Sequence, residues 1–319
     1  MDERALPRVA LEGLNRLLHP LDAFFRVKPQ QSSPPPLFII GAPRSGTTLT
    51  YQLLTQHFKL GYMTAPVAYT CGVANLSTRA LRPWLGRPKS GFESHYGQIT
   101  GIFSPSEHHN YWARWFPETV DLGHYSDPYT ADMARFEGLE TDLASLSAIL
   151  ERPLIFKNLY LSISAGLVAR ILPHARFLII KRDPLLVCQS ILRRREQLPD
   201  PRKWWSVKPP HYRAWLDLPL WQQVARQVFY ANALPSRDLA CFARGRFTEV
   251  DYVEVCRQPR VWLDRMEGWL GSFGYRTYSK SRIPDQFPVS DRLAIAPTTA
   301  KEIRCELADL EGEVHARVH

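Results

Sequence analysis

The stretch FIIGAPRSGTTLTYQLL, residues 38–54, decides the fold of this chain. An apolar run ends in a turn rich in Gly and Thr, and a second apolar pattern follows it. This order predicts a β-strand, a phosphate-binding loop and an α-helix. Backbone N–H groups of residues 44–49 and the amino end of the helix would then face an anion. Gly41 and Gly46 would allow the backbone to turn sharply around it.

The loop departs at one position from the phosphate loop of ATP- and GTP-dependent enzymes. That loop reads G-x-x-x-x-G-K-[ST], and Thr47 occupies the lysine position here. In phosphoryl transfer, the lysine contacts the β- and γ-phosphates and the next Ser or Thr holds Mg²⁺. A phosphosulfate donor needs less neutralisation, because its transferring group carries one negative charge. The forked guanidinium of Arg44 would supply that neutralisation without a metal.

Composition is that of a globular protein with a basic charge balance. The 319 residues carry a formal net charge of +9, and 45% of them are hydrophobic. This charge favours anionic partners without choosing among nucleotides, nucleic acids and acidic surfaces. The five cysteines include no C-x-x-C pair, which argues against a zinc ribbon and suggests a reducing compartment. Without an 18-residue apolar stretch or a signal layout, we expect a cytoplasmic protein with no integral membrane segment.

Alternating buried strands and helices predict an α/β fold with a central parallel sheet and helices on both faces. After the strand that begins at Leu37, further strands are expected at residues 153–158 and 175–184, and a strand with its exit loop is expected at residues 246–255. Helices are expected at residues 49–58, 133–150, 161–173, 185–198, 221–235 and 259–275.

The remaining segments define the predicted organisation of the chain. Residues 1–36 are expected to form an amphipathic helix and a Pro-rich connector, followed by one domain over residues 37–319. Residues 60–125 and 199–220 are irregular and aromatic, and the second of these segments is expected to act as a lid.

Three segments resemble the PAPS-dependent sulfotransferase family. GAPRSGTT after a strand resembles its 5′-phosphosulfate loop, in the form with Arg that many bacterial and Golgi members carry. ARFLIIKRDPLLVCQSILRRR is similar to the family's 3′-phosphate motif, because Ser190 follows Arg182 of R-D-P by eight residues. EVDYVEVCRQP resembles a third segment, in which Tyr252 would lie close to the adenine. Val253 and Glu254 depart there from the usual Glu-Asp pair.

The resemblance implies an enzyme that moves a sulfuryl group from 3′-phosphoadenosine 5′-phosphosulfate (PAPS) to an acceptor. The acceptor would be a hydroxyl or amine of a small molecule, glycan or lipid, and adenosine 3′,5′-bisphosphate (PAP) would be released. The transfer would be in line and would require no metal. The donor-binding residues implied are Arg44, Ser45, Gly46, Thr47, Thr48, Arg182, Ser190 and Tyr252.

Sulfuryl transfer to a hydroxyl needs a base, and SPSEHHNYW offers three candidates. Glu107 ranks first because bacterial relatives place an acidic cluster after a similar S-P. His108 is a close second because imidazole titrates near neutral pH without tuning, and His109 is third. Glu93 and His95 are reserve candidates. The alternative is that all three leading candidates lie on a solvated loop.

Lys157 is the fourth predicted catalytic residue, beside Glu107, His108 and Arg44. It ends the predicted strand PLIFKN, so it should lie near the carboxyl edge of the sheet. The family often has K-x-P or K-N-P here, whereas this chain reads KNLY. Lys157 would stabilise charge that develops on the bridging oxygen. The alternative is a lysine that merely flanks a strand.

Two other classes of function stay open. An ATP-dependent kinase-like phosphotransferase is disfavoured by Thr47 and by the fit of the R-D-P segment. A non-catalytic nucleotide or nucleic-acid binder is compatible with the basic run RRR, residues 193–195. We expect no nucleic-acid partner and no metal site, whereas oligomeric state and acceptor identity are not encoded in these patterns.

Overall fold

The computed structural model describes residues 13, 15, 17–28, 34–88, 91–93, 99, 101–107, 109–120, 123–279 and 282–316. Within them, four parallel strands form a sheet in the order β2-β1-β3-β4. The strands are β1 (Leu37–Gly41), β2 (Ile155–Lys157), β3 (Arg176–Lys181) and β4 (Phe247–Asp251). The predicted parallel sheet is confirmed.

Helices surround this sheet. They are α1 (Thr47–His57), α2 (Ala65–Tyr69), α3 (Ala74–Leu81), α4 (His109–Trp115), α5 (Pro117–Val120), α6 (Leu139–Leu150), α7 (Leu159–Ile163), α8 (Ala165–Ile171), α9 (Pro184–Glu196), α10 (Leu220–Phe242), α11 (Tyr252–Arg257), α12 (Pro259–Gly271) and α13 (Pro297–Ala316). Short 3₁₀ turns occur at Ala23–Phe25, Cys71–Val73, Arg82–Trp84, Met133–Phe136 and Tyr212–Trp215. None of these described helices combines the length and apolar character that crossing a bilayer requires.

The strand register brings the carboxyl ends of the strands to one edge. Ile39 of β1 lies beside Lys157 of β2, and Gly41 lies beside Ile180 of β3. Ligands of parallel α/β sheets bind at this edge, where the loops that follow the strands converge. The sheet therefore places the glycine loop, Lys157 and the R-D-P segment near one another.

Both faces of β1 are buried, as in a sheet covered by helices on either side. Phe38 and Ile40 pack into a core that includes Trp112 and the apolar side of α6. Leu37 and Ile39 pack on the opposite side, in a core with residues of α1 and α12. This burial on both faces explains why nearly every residue of β1 is apolar.

Several predicted helices differ from those observed. The helix predicted over residues 133–150 divides at Gly138, where φ is 89°, into a 3₁₀ turn and α6. The one predicted over 161–173 is divided into α7 and α8. The helix expected to stop at Pro235 continues as α10 to Phe242, because burial against α8, α9 and α13 holds it together.

Other differences concern segments with weak local patterns. Residues 252–255 form the start of α11 and do not extend β4, because the Asp251 carboxylate accepts hydrogen bonds from the N–H groups of Val253 (2.6 Å) and Glu254 (3.2 Å). The region read as irregular, residues 60–125, contains the short helices α2 to α5. The sequence analysis did not predict α13.

The described part of the N-terminal segment packs on α3 and α6. Asp22 is fully buried, and its carboxylate accepts hydrogen bonds from the Asn75 backbone N–H (2.9 Å) and from Asn75 Nδ2 (2.7 Å). Arg26 lies 3.5 Å from Asp142. These buried polar contacts join the segment to the sheet domain, and a boundary at residue 36 stays a prediction.

Candidate active site

The loop between β1 and α1 requires glycine at both of its ends. A methyl group on Gly41 would lie 2.6 Å from Ser45 Oγ and 3.2 Å from the Ile180 carbonyl oxygen. Gly46 has φ 99°, and a methyl group there would lie 2.2 Å from the ring of Tyr252. A side chain would therefore clash at either position. The loop backbone is closed tightly against β3 and Tyr252.

Arg44 and Ser45 place polar groups inside this loop. Arg44 has φ 69°, an unusual value for a residue with a side chain, and its Nε donates a hydrogen bond to Ser190 Oγ at 3.0 Å. The buried Ser45 hydroxyl has no hydrogen-bond partner among the described residues. Gly46 supplies no side chain to cap α1. An anion in the loop would satisfy the Ser45 hydroxyl and face the amino end of α1.

Arg182, at the end of β3, joins the loop to two other parts of the chain. It donates hydrogen bonds to the carbonyl oxygens of Arg44 (2.7 Å) and Ser290 (2.6 Å). Its guanidinium lies 4.8 Å from the centre of the Tyr252 ring, while its Nε is buried without a hydrogen bond among the described residues. Burial raises the pKa of Tyr252 to about 12, so this phenol stays protonated at neutral pH.

The two predicted anion sites form one contiguous region. The glycine loop and the Arg182/Ser190 pair are predicted to be separate ends of a donor pocket. The Arg44–Ser190 hydrogen bond joins them. The segment 290–294 was not predicted to belong here. It is held by Arg182 and by Gln189, which donates to the Arg292 carbonyl (3.0 Å). No local sequence pattern predicts this long-range contact.

Lys157 and Glu107 form an ion pair at the end of β2. The Lys157 side chain is 2% exposed and that of Glu107 is 29% exposed. Asn158 donates from Nδ2 to the Glu107 carbonyl at 2.9 Å, and its Oδ1 caps α7. Glu107 therefore lies against the sheet edge, and a freely solvated loop is the wrong description of its position.

The other predicted bases have different surroundings. His109 opens α4 and contacts the Tyr160 ring edge-on at 5.9 Å between ring centres. Burial, and secondarily the charge of Glu107, raises the pKa of Tyr160. Glu93 is exposed. His108 and His95 lie outside the described residues.

A cavity of about 540 Å³ lies between residues 124–125 and the segment 208–214. Its lining is aromatic and basic, and consists of His124, Tyr125, Lys208, Pro209, Pro210, His211, Tyr212, Arg213 and Ala214. A methyl group on Gly123, next to the cavity, would lie 3.3 Å from the Tyr160 ring. The segment 199–220, predicted to be a lid, thus supplies most of a cavity wall.

Charge and ring contacts shape this cavity. Lys208 Nζ lies 5.6 Å from the centre of the Tyr212 ring, and the His124 ring lies 5.5 Å from it. Burial lowers the pKa of His124, and the positive charges of Lys208 and Arg213 lower it further. None of the described residues that line the cavity is acidic. The cavity is therefore suited to an aromatic or negatively charged group.

The carboxyl edge of this parallel α/β sheet carries a glycine loop and two contacting arginine residues, Arg44 and Arg182. The sulfotransferase family profile matches residues 35–272, and the chain belongs to that family. The resemblance found in the sequence is confirmed. Among the described residues, no group of three or more His, Cys, Asp or Glu side chains is placed to hold a metal ion.

Solved structures of similar fold are also sulfotransferases. The sulfotransferase STF1 from Mycobacterium tuberculosis H37Rv aligns with a TM-score of 0.52 and 14% identity, over 94% of this chain and 79% of that one. STF9 from Mycobacterium avium aligns with a TM-score of 0.49 and 16% identity, over 88% and 69% of the two chains. A search of curated protein sequences gives no significant match. At 14% identity, the STF1 alignment shows a shared fold only.

Proposed function

We propose that the protein transfers a sulfuryl group from PAPS to a hydroxyl group of a small-molecule acceptor and releases PAP. Membership of the sulfotransferase family supports the reaction class. The observation that carries the proposal for the donor is the contact of Arg44 with Ser190 beside a buried, unpartnered Ser45 hydroxyl. An adenosine with phosphates at both ends matches that contiguous, positively charged region.

The residues around the loop fit such a donor. The loop amides, Ser45 and Arg44 would hold the 5′-phosphosulfate, with Gly46, Thr47 and Thr48 at the start of α1. Arg182 and Ser190 would hold the 3′-phosphate, to which a guanidinium donates two parallel hydrogen bonds. Tyr252 would pack near the adenine. When bound, PAPS supplies the sulfuryl group together with a phosphate leaving group.

Glu107 and Lys157 would carry the proton and charge chemistry. An ionised carboxylate held at the sheet edge accepts the proton of an acceptor hydroxyl. The buried ammonium of Lys157 orients that carboxylate and neutralises negative charge on the leaving phosphate. Arg44 would contribute to the same neutralisation from the loop. Both groups act without a change in backbone position, because β2 and Asn158 hold them.

The acceptor would enter through the cavity lined by His124 and the segment 208–214. Its described lining has two cationic side chains, Lys208 and Arg213, two tyrosines and no acid, which favours an acceptor with an aromatic body and a negative substituent. The five cysteines are free, and this supports a reducing, cytoplasmic setting.

Incubation of the purified protein with ³⁵S-labelled PAPS and a metabolite extract tests the reaction. We expect label in a new product, identified by mass spectrometry, without added Mg²⁺. A parallel incubation with γ-³²P-labelled ATP and Mg²⁺ tests the kinase-like alternative. Phosphoryl transfer in that arm, with no sulfuryl transfer in the first, would replace the proposal. PAP binding without any product would indicate a non-catalytic binder.

The base is tested by Glu107→Gln. We expect kcat to fall by about 10²-fold or more, because the amide cannot take the proton, while the KM for PAPS changes little. His109→Gln is the matched variant on the same segment and should keep most of the activity. His108→Ala extends the comparison to the residue outside the described part of the chain. A fully active Glu107→Gln enzyme would show that another residue is the base.

A further inference from the structure

A second cavity lies at the opposite edge of the sheet from the donor region. It measures about 640 Å³ and is bounded by Pro34, before β1, and Pro153, before β2. These residues mark the amino ends of the strands, whereas the glycine loop follows the carboxyl end of β1. The five residues of β1 separate the two edges by about 13 Å. The cavity is therefore distinct from the candidate active site.

Six basic side chains line this cavity. They are Lys28, Lys59, Arg79, Arg82, Arg152 and Arg276. The single carboxylate in the lining, Glu151, pairs with Arg82 at 2.7 Å. Five of the six make no ion pair with any residue that the structure describes: Lys28, Lys59, Arg79, Arg152 and Arg276. The cavity thus has a large excess of positive charge.

Distant parts of the chain bring these charges together. The Lys59 N–H donates to the Arg276 carbonyl at 2.8 Å, which fixes two of the basic residues side by side. Arg152 is held against the end of α6, where its carbonyl accepts from Ser147 Oγ at 2.8 Å. The carboxyl end of α6 offsets only about half a charge. Like charges gathered in this way repel one another unless an anion neutralises them.

We propose that this basic cavity binds a ligand that carries two or more phosphate groups. Its volume lies within the range of about 300–1,000 Å³ that is usual for small-molecule sites. Four of the basic side chains are guanidinium groups, which match phosphate oxygens with two parallel hydrogen bonds. Several phosphates on one ligand would contact basic residues from opposite walls at once. The ligand could be a free metabolite or the head group of a lipid, which present the same chemistry.

Calorimetric titration with tripolyphosphate tests the site in solution. The titration is repeated with PAP present, so that binding at the donor region is already blocked. We expect the Lys59→Gln/Arg276→Gln double variant to weaken tripolyphosphate binding by about tenfold or more, because two charge-assisted hydrogen bonds are lost. The matched control is Lys301→Gln/Arg304→Gln, which removes the same charge from exposed positions on α13. The control should bind as tightly as the parent protein.

A second arm distinguishes the source of the phosphates. Flotation with phosphatidylcholine vesicles, with and without phosphatidylinositol bisphosphate, tests a lipid head group. Binding in either arm that the cavity variant loses and the control keeps supports the proposal. Binding in neither arm overturns it, and so does an equal loss in both variants. Sulfotransferase activity is not the readout, so failure here leaves the proposed reaction untouched.

Discussion

The proposed donor side and the proposed acceptor side of the candidate active site are built in different ways. On the donor side, the glycine loop, β3 and α9 bring Arg44, Arg182 and Ser190 together within two short motifs. On the acceptor side, the cavity is formed by His124 and by the segment 208–214, which are far apart in sequence. The donor side depends on backbone conformations that allow little substitution, whereas the acceptor side depends on side chains that irregular segments present. We expect their variants to separate donor from acceptor kinetics.

The largest effect is expected at Gly46, where the donor side is most constrained. Gly46→Ala places a methyl group 2.2 Å from the Tyr252 ring. The ring or the loop must move, so we expect the KM for PAPS to rise by about 100-fold or more. Steady-state kinetics with varied PAPS would measure this change.

Gly138→Ala is the matched control, because Gly138 also has a positive φ, 89°, but has no neighbouring atom within 4 Å of an added methyl group. Its cost is the left-handed backbone alone, about 1 kcal/mol of stability, and its kinetics should be those of the parent. Equal kinetic effects at both glycines would show that the loss comes from general destabilisation and not from the contact with Tyr252.

Arg182→Ala is expected to have the next largest effect. The KM for PAPS should rise by about 10- to 100-fold, because hydrogen bonds to a charged group are worth about 1.5–3 kcal/mol. The KM for the acceptor should stay constant. Arg304→Ala, an exposed position on α13, is the control for loss of one positive charge. Unchanged donor affinity in Arg182→Ala would show that Arg182 does not bind the 3′-phosphate.

Lys208→Gln tests the other side of the comparison. We expect the KM of a negatively charged acceptor to rise by about tenfold while the KM for PAPS is unchanged. The measurement needs the acceptor found by labelled-PAPS transfer, together with an analogue that lacks its negative group. If the substitution raises the KM of the neutral analogue as much as the KM of the charged acceptor, then Lys208 does not recognise the negative group.

The smallest effect is expected from pH at His124. Burial, with Lys208 and Arg213, lowers the pKa of this imidazole, so the unfolded chain binds its proton more readily. Stability is therefore retained above the ordinary pKa of about 6.5 and falls as the pH drops towards the lower folded value. As the pH is lowered, we expect the Tm of His124→Gln to fall by about 1 °C less than the Tm of the parent protein. Thermal melting at several pH values between neutral and mildly acidic would measure this difference. If Tm falls equally in the parent and in the variant, the prediction is wrong.

The strands of the donor side could be predicted because their signals are local. The apolar run from Leu37 follows a Pro-rich segment, and the observed strand begins at that residue. Gly41 and Gly46 indicate the loop for steric reasons that the structure bears out. By contrast, proline normally ends a helix, and α10 continues through Pro235 because tertiary packing outweighs the lost hydrogen bond.

The contacts that complete the site could not be predicted from local patterns. Lys157 and Glu107 are 50 residues apart, and only the fold shows that they pair. The hydrogen bond of Arg44 to Ser190 spans 146 residues and depends on a backbone angle that the sequence does not encode. The short helices α2 to α5 are stabilised by burial, so their own periodicity is too brief to identify them.

The left-handed backbone conformation of Arg44 has an energetic cost. A residue with a side chain at φ 69° costs roughly 1 kcal/mol relative to glycine, and its hydrogen bond to Ser190 returns about the same amount. Backbone strain of this kind is concentrated at functional sites, where the surrounding structure holds it in place. We therefore expect Arg44→Gly to relieve the strained backbone and to remove the contact that joins the glycine loop to α9.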